Sequence, residues 1–154
     1  MFSKILIANR GEIGVRVIKT CKRMGVKTAI VYSEADADSL AVEMADEAVF
    51  IGGAPASESY LVQDKIIDAV RKTGAEAVHP GFGFLSENPV FARRLEEEKI
   101  TFIGPNPFAI ESMGDKITSK EFAAKAGVST VPGHMGLIEE TEEAVRISGE
   151  IGYP

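Results

Sequence analysis

The stretch Lys4–Gly14, KILIANRGEIG, constrains the fold more than any other part of the chain. Ile5, Leu6, Ile7 and Ala8 form a short, wholly apolar run, the pattern of a strand buried on both faces. A turn at Asn9-Arg10-Gly11 follows, and an amphipathic pattern begins directly after it. Asn9, Gly11 and Gly14 occupy the glycine positions of a G-x-G-x-x-G strand–turn–helix corner, with Asn in place of the first Gly. Asn tolerates a left-handed backbone better than most residues, so the tight turn is expected to survive at Asn9. Gly11 is expected to admit a ligand or neighbouring loop, and Gly14 to bring the helix close to the sheet. The same corner serves a ligand-free α/β domain equally well.

The alternation of strand-like and helix-like segments continues along the chain. Ile13, Val17, Ile18, Cys21 and Met24 fall on one helical face, and Gly25 ends that helix. Val26–Tyr32 reads as a second strand, Ser39–Ala45 as a short helix and Glu47–Ile51 as a third strand. Tyr60–Thr73 reads as a helix closed by Gly74. Glu76–His79 and Ile100–Gly104 give two further strands, with a helix from Val90 to Glu98 capped by Asn88 and started by Pro89. Five strands joined by helical crossovers make an open parallel sheet with helices on both faces. A strand order of 3-2-1-4-5 places a crevice between strands one and four, at their carboxyl ends, where such sheets bind ligands. The loops Asn9–Gly14 and His79–Asn88 then flank it.

The second of these loops, HPGFGFLSEN, holds a proline and two glycines among two phenylalanines and a leucine. Its punctuation forbids regular structure, and its apolar residues must pack on something, as in an Ω-loop. His79 reads as a hydrogen-bonded strand-end residue and Cys21 as core filler. Glu34 and Asp36, about twenty residues beyond the glycine turn, have the position of a ribose-binding acid and equally of an ordinary acidic helix start.

The chain's 154 residues suit one domain and part of another. After Gly114 a helix starts at Asp115-Lys116, with Asp115 or Ser119 as its cap. An extended VSTVPGH segment follows, and then a final helix with Thr141 as cap and Ala144, Val145, Ser148 and Ile151 on its packed face. Gly152-Tyr153-Pro154 leads towards a strand, so the expected division is a first domain of residues 1–113 and a truncated second segment of 114–154. A net charge of −6 disfavours nucleic acid and anionic membranes as partners. The absence of a leader pattern and a single unpaired Cys21 suit a reducing, cytoplasmic setting.

IANRGEI at Ile7–Ile13, MADE at Met44–Glu47, HPGFGFLSEN at His79–Asn88, FIGP at Phe102–Pro105 and MGDK at Met113–Lys116 stand in order along nearly the whole chain. Together they resemble the amino-terminal part of a biotin carboxylase, the ATP-grasp component of biotin-dependent carboxylases. MGDKITSK, VSTVPG and MGLIEETEEAV are most similar to the propionyl-CoA carboxylase branch; acetyl-CoA, pyruvate and methylcrotonyl-CoA carboxylases share most of the rest. The resemblance implies a Rossmann-like, pre-ATP-grasp sheet followed by the start of an ATP-grasp domain. It implies an ATP-dependent ligase that carboxylates biotin from bicarbonate, with magnesium on the phosphates, a biotin carboxyl carrier domain and a carboxyltransferase subunit as partners.

By the family pattern Lys116 contacts the nucleotide, while Phe82 and Gly83 lie at the biotin end of the site. Family members often carry Tyr at position 82, so a hydroxyl hydrogen bond is lost here while an apolar contact survives. The family's catalytic and metal-binding residues fall after residue 154, so none is assigned in this chain, and the 154 residues alone are expected to be inactive. Two other classes stay open on the residues alone: a nicotinamide-dinucleotide-binding domain of an oxidoreductase, from Asn9–Gly14 with Glu34 and Asp36, and a non-catalytic scaffold domain.

Overall fold

The computed structural model describes residues 1–134 and 136–152 and divides the chain into two compact units, Met1–Ile110 and Glu111–Pro154. In the first unit, β1 (Lys4–Ile7), β2 (Lys27–Ser33), β3 (Glu47–Gly52), β4 (Ala77–His79) and β5 (Thr101–Phe102) form one sheet. Its order is β3-β2-β1-β4-β5 and every neighbouring pair is parallel. β1 is the central strand, pairing Ile7 with Ile30 of β2 on one side and with His79 of β4 on the other.

Strand alternation sorts the side chains to two faces. Ile5, Ile7, Ile30 and Ala77 meet Ile18 and Cys21 of α1 (Gly11–Met24) and Ala41 of α2 (Leu40–Met44) in two apolar clusters. Leu6, Ala8, Ala29, Val31, Val49 and Val78 point the other way. They pack with Ile66, Ile67 and Val70 of α3 (Gln63–Thr73) and with Phe91 and Leu95 of α4 (Pro89–Glu97). Side chains such as Ile66, Phe91 and Leu95 are fully buried, each contributing about 1.5–3 kcal/mol relative to exposure. The uninterrupted apolar run of β1 is thereby explained, since both of its faces are covered.

Gly14 is where α1 meets the sheet. A Cβ there would lie 2.8 Å from Ile30 Cδ1 and 3.1 Å from Ala41 Cβ, so only glycine permits this approach. The MADE motif is structural at its third residue. Asp46 accepts hydrogen bonds from the Thr28 backbone N–H at 2.8 Å and the Thr28 hydroxyl at 3.0 Å. The Thr28 backbone bond is the largest of the effects that hold the Asp46 carboxyl below its ordinary range.

Several element boundaries differ from the sequence reading. Met24 is exposed, because α1 ends there and Gly25 turns the chain away in the left-handed region. Tyr60 is not helical. It precedes α3, which starts at Gln63, and is buried at 1% exposure.

The second unit holds α6 (Lys116–Lys125) and α7 (Thr141–Ile151), while α5 spans Pro107–Gly114. Asp115 is the α6 cap, accepting from the Thr118 N–H at 2.7 Å. Thr141 is the first helical residue of α7 rather than its cap, which is Glu140 with no side-chain bond. The packed face of α7 centres on Ile147, and Val145 is exposed. The strand entry read from Gly152-Tyr153-Pro154 falls partly outside the described residues. No helix among the described residues is long and apolar enough to cross a membrane.

Candidate functional site

The strand order reverses at β1, and the chain leaving its carboxyl end is stitched to the chain leaving β4. The Ala8 N–H donates to the His79 carbonyl at 2.9 Å. Asn9 is 4% exposed, and its Nδ2 donates to the Pro80 carbonyl at 2.7 Å and the Phe82 carbonyl at 2.9 Å. Its Oδ1 accepts from the Arg10 N–H at 2.9 Å. Asn9 therefore acts through its amide and not through a left-handed backbone. The positive φ of this corner belongs to Gly11, at 59°. A glycine in the first position could not make these bonds.

Gly81 completes the contact from the other side. Its φ is 69°, and a Cβ on it would lie 2.5 Å from Asn9 Nδ2 and 2.8 Å from Ile13 Cγ2. The sequence reading passed over Gly81. Its signal was the Gly-x-Gly spacing around Phe82 in a loop facing an Asn. His79 is the hydrogen-bonded strand-end residue expected, its Nδ1 accepting from the Gly81 N–H at 3.1 Å. Burial holds its imidazole below the ordinary range, which keeps that nitrogen an acceptor.

Beyond these bonds lies a second set of contacts that the sequence reading also missed. The Tyr60 hydroxyl donates to Asp36 Oδ2 at 2.7 Å and accepts from the Ser33 N–H at 3.0 Å. The Ser33 hydroxyl donates to the same Asp36 oxygen at 2.7 Å, and Arg10 Nη1 lies 3.5 Å from it. Burial and the bond to Asp36 push the Tyr60 hydroxyl up to about 12. At Asp36 burial acts upward, but the bonds from Ser33 and Tyr60 and the Arg10 charge outweigh it and hold the carboxyl below its ordinary range. Asp36 is thus engaged within the chain and is not the free ribose acid that one reading of the sequence allowed.

The Tyr60 ring stacks on Phe84, with centroids 4.8 Å apart and planes within 6°. The Arg10 guanidinium lies 5.5 Å from each of the two ring centroids. Phe84 itself has φ of 45°, a conformation that costs a non-glycine residue about 1–2 kcal/mol.

Between these anchors the loop presents Phe82 and Gly83. The Phe82 carbonyl is held by Asn9 while its side chain is 67% exposed. Gly83 has φ of 67°, and apart from its chain neighbours no residue has an atom within 4 Å of where its Cβ would be. Gly83 thus avoids a strained backbone but crowds no residue beyond its chain neighbours, and the side its Cβ would occupy is open. Ser86 N–H closes a turn onto the Gly83 carbonyl at 2.9 Å, Leu85 is buried, and Asn88 caps α4 by accepting from the Phe91 N–H at 2.9 Å.

In the second unit Lys116 is the first residue of α6 and is exposed. The Asp115 carboxylate accepts from the Thr118 N–H, and the Thr118 side chain first and its N–H second hold it below its ordinary range. Asp115 Oδ1 thus serves the helix cap. An exposed lysine at a helix amino end suits an anionic group. Among the described residues no group of three or more His, Cys, Asp or Glu is placed to hold a metal ion.

Residues 1–110 match the family model of the biotin carboxylase N-terminal domain. Along its entire length the chain is 64% identical to the propionyl-CoA carboxylase alpha chain of Ruegeria pomeroyi, spanning 23% of that protein. It is 53% identical, over all of the chain and 32% of the relative, to the 2-oxoglutarate carboxylase small subunit of Hydrogenobacter thermophilus. A crystal structure of the biotin carboxylase domain from that 2-oxoglutarate carboxylase, in complex with MgADP, ADP and bicarbonate, superposes with a TM-score of 0.90 at 52% identity. The match covers 100% of this chain and 34% of that one.

Proposed function

This chain belongs to the biotin carboxylase N-terminal domain family, and from that premise we propose that it forms one wall of the active site of a biotin-dependent acyl-CoA carboxylase. The acyl-CoA proposed is propionyl-CoA, on the 64% identity to a propionyl-CoA carboxylase alpha chain. Residues 1–113 are assigned as the amino-terminal α/β domain, and 114–154 as linker helices opening the ATP-grasp domain. The full-length enzyme is a ligase taking ATP and bicarbonate as substrates, acting with a biotin carboxyl carrier domain and a carboxyltransferase subunit. A reducing, cytoplasmic compartment is proposed, in keeping with the free, buried Cys21.

In the reaction proposed, a bicarbonate oxygen attacks the γ-phosphorus of ATP and ADP leaves. The carboxyphosphate formed breaks down to carbon dioxide and phosphate, and carbon dioxide is captured by a ureido nitrogen that loses its proton. Bound magnesium neutralises phosphate charge in such chemistry, and its ligands are assigned to residues beyond this chain. What these 154 residues do is bind and orient. Lys116 sets a flexible positive charge at the amino end of α6, where phosphate oxygens are favoured. Phe82 and Gly83 supply an apolar side chain and an open backbone surface for the fused rings of biotin. One observation carries this reading: the loop is pinned through its Pro80 and Phe82 carbonyls while its Phe82 side chain and Gly83 face open space.

The test uses two variants of the full-length enzyme. Lys116→Gln should raise the KM for ATP by about tenfold or more, since a charge-assisted phosphate contact is worth roughly 1.5–3 kcal/mol. The KM for biotin should move less. Gly83→Val should do the reverse, raising the KM in free-biotin carboxylation while ATP affinity holds. An unchanged ATP constant in a folded Lys116→Gln enzyme, or a Gly83→Val enzyme that loses ATP affinity and keeps biotin turnover, refutes the assignment.

A further inference from the structure

We propose that Arg10, Asp36 and Tyr60 are positioning residues for biotin: they brace Phe84 in its left-handed conformation and so fix the loop that presents Phe82 and Gly83. The proposal rests on the reading that Phe82 and Gly83 meet biotin.

Four features carry it. Phe84 has φ of 45°, and a phenylalanine holds that conformation only where its surroundings over-determine it. What over-determines it is the flat stack of its ring on Tyr60 at 4.8 Å, with the Arg10 guanidinium 5.5 Å from both centroids. Tyr60 is itself fixed by a buried hydroxyl bonded to Asp36 and to the Ser33 N–H at the end of β2. Asp36 joins Arg10 to Tyr60, so the brace ties the ends of β1 and β2 to the loop after β4.

Core packing alone would ask none of this of Tyr60. A Phe would fill the same volume, and the stack would need no carboxylate behind it. On either side of Gly83 the loop is held at positions two residues apart, its Phe82 carbonyl by Asn9 and its Phe84 ring by the brace. Gly83 lies between them with φ of 67°. Releasing the Phe84 anchor lets Gly83 turn, and glycine does so at little cost. The expected consequence is a loop that samples other conformations and binds biotin from a smaller competent population.

The experiment uses the full-length enzyme with Tyr60→Phe, Asp36→Asn and Phe82→Ala, each read by free-biotin carboxylation kinetics and by amide hydrogen exchange. Tyr60→Phe and Asp36→Asn should raise the KM for biotin about three- to tenfold, the effect of losing a bond of roughly 1 kcal/mol. The KM for ATP should move less. Exchange in residues 80–86 should rise while α6 is unchanged. Arg10→Lys keeps the charge but not the planar face, and should fall between these and the parent enzyme. It also serves if Tyr60→Phe fails to fold.

Phe82→Ala tests the underlying reading by itself. It should raise the KM for biotin without changing exchange elsewhere in the loop. If Phe82→Ala raises that KM and the brace variants do not, the proposal is overturned and the biotin reading stands. If Phe82→Ala leaves biotin unaffected, the reading fails and takes the proposal with it. Brace variants that slow every substrate equally, with exchange raised throughout the first unit, show a general stability role and overturn the proposal.

Discussion

Gly81 and Gly83 have nearly the same backbone conformation, with φ of 69° and 67°, and very different surroundings. Replacing each with Ala therefore separates backbone strain from crowding. The left-handed conformation costs an L-residue about 1–2 kcal/mol, and at Gly83 nothing is added, since beyond its chain neighbours no residue comes within 4 Å of the new methyl. At Gly81 the methyl would sit 2.5 Å from Asn9 Nδ2 and 2.8 Å from Ile13 Cγ2. Carbon contacts are comfortable at about 3.5–4.0 Å, so one side or the other must move by about an ångström. Such overpacking costs about 1–3 kcal/mol. If Asn9 is what moves, its bonds to the Pro80 and Phe82 carbonyls weaken as well, at about 0.5–1.5 kcal/mol each. Gly83→Ala should thus destabilise by about 1–2 kcal/mol, and Gly81→Ala by about 2–5 kcal/mol, at the upper end if Asn9 is what moves. Urea unfolding of the 154-residue chain measures the difference, followed by tyrosine fluorescence and compared at a common m value. Equal losses within about 0.5 kcal/mol would refute the tight contact between Gly81 and Asn9, and with it the argument that the two loops are interlocked.

The acid dependence of stability should carry the mark of Asp36. Its carboxyl sits below the ordinary 3.8 in the folded chain, so its contribution is complete above about pH 4 and is lost as pH falls through the lower folded value. Asp36→Asn should therefore cost about 1–3 kcal/mol at neutral pH, and the difference from the parent should close towards pH 2; a gap that stays constant with pH would contradict the ionised bond. The 154-residue chain alone should show no bicarbonate-dependent ATPase, since phosphoryl transfer needs groups placed on several sides of the phosphates. Phosphate release above a control without bicarbonate would contradict that.

The sheet was legible because its signals are local and mutually consistent. The buried run Ile5–Ala8, the alternation of strands with amphipathic helices, and helix ends at Gly25 and Gly74 all point to one wound parallel sheet. The wound pattern admitted the order 3-2-1-4-5, which the sheet has, and with that order comes the place where the Asn9 and His79–Asn88 loops meet. Capping was legible where donor and acceptor are three residues apart, as at Asn88 and Asp115. What could not be read depends on partners distant in sequence. Tyr60 looked like a helix residue because a helix begins three positions later, and only the Ser33 N–H and Asp36, more than twenty residues upstream, show why it stops short. Asn9 was read through its backbone preference, a local property, whereas its acceptors are Pro80 and Phe82, more than seventy residues away. Glycines 11, 81 and 83 look alike in sequence, and only their surroundings tell which one is crowded.

The shape of this corner follows from where polar groups can be spared in a parallel sheet. Parallel strands leave the sheet at one rim, so the loops after β1, β2 and β4 converge there, and the Pro80 and Phe82 carbonyls, beyond the end of β4, are acceptors with no ladder donor. A side chain with two donors on one nitrogen answers that imbalance, and Asn9 is such a side chain, engaging two carbonyls of a loop that has no ladder of its own. The remaining imbalance is one of conformation. A loop with left-handed residues at 81, 83 and 84 loses its shape unless at least one is held by contacts, and glycines at 81 and 83 offer no side chain for holding. Phe84 is the position that can be gripped, and the grip comes from an aromatic whose hydroxyl is fixed by the end of β2 and an arginine from the turn between β1 and α1. The strain at Phe84 is therefore the feature through which the sheet dictates the shape of the loop. A glycine at 84 would relieve the strain, remove the grip, and leave Phe82 and Gly83 on a loop free to turn.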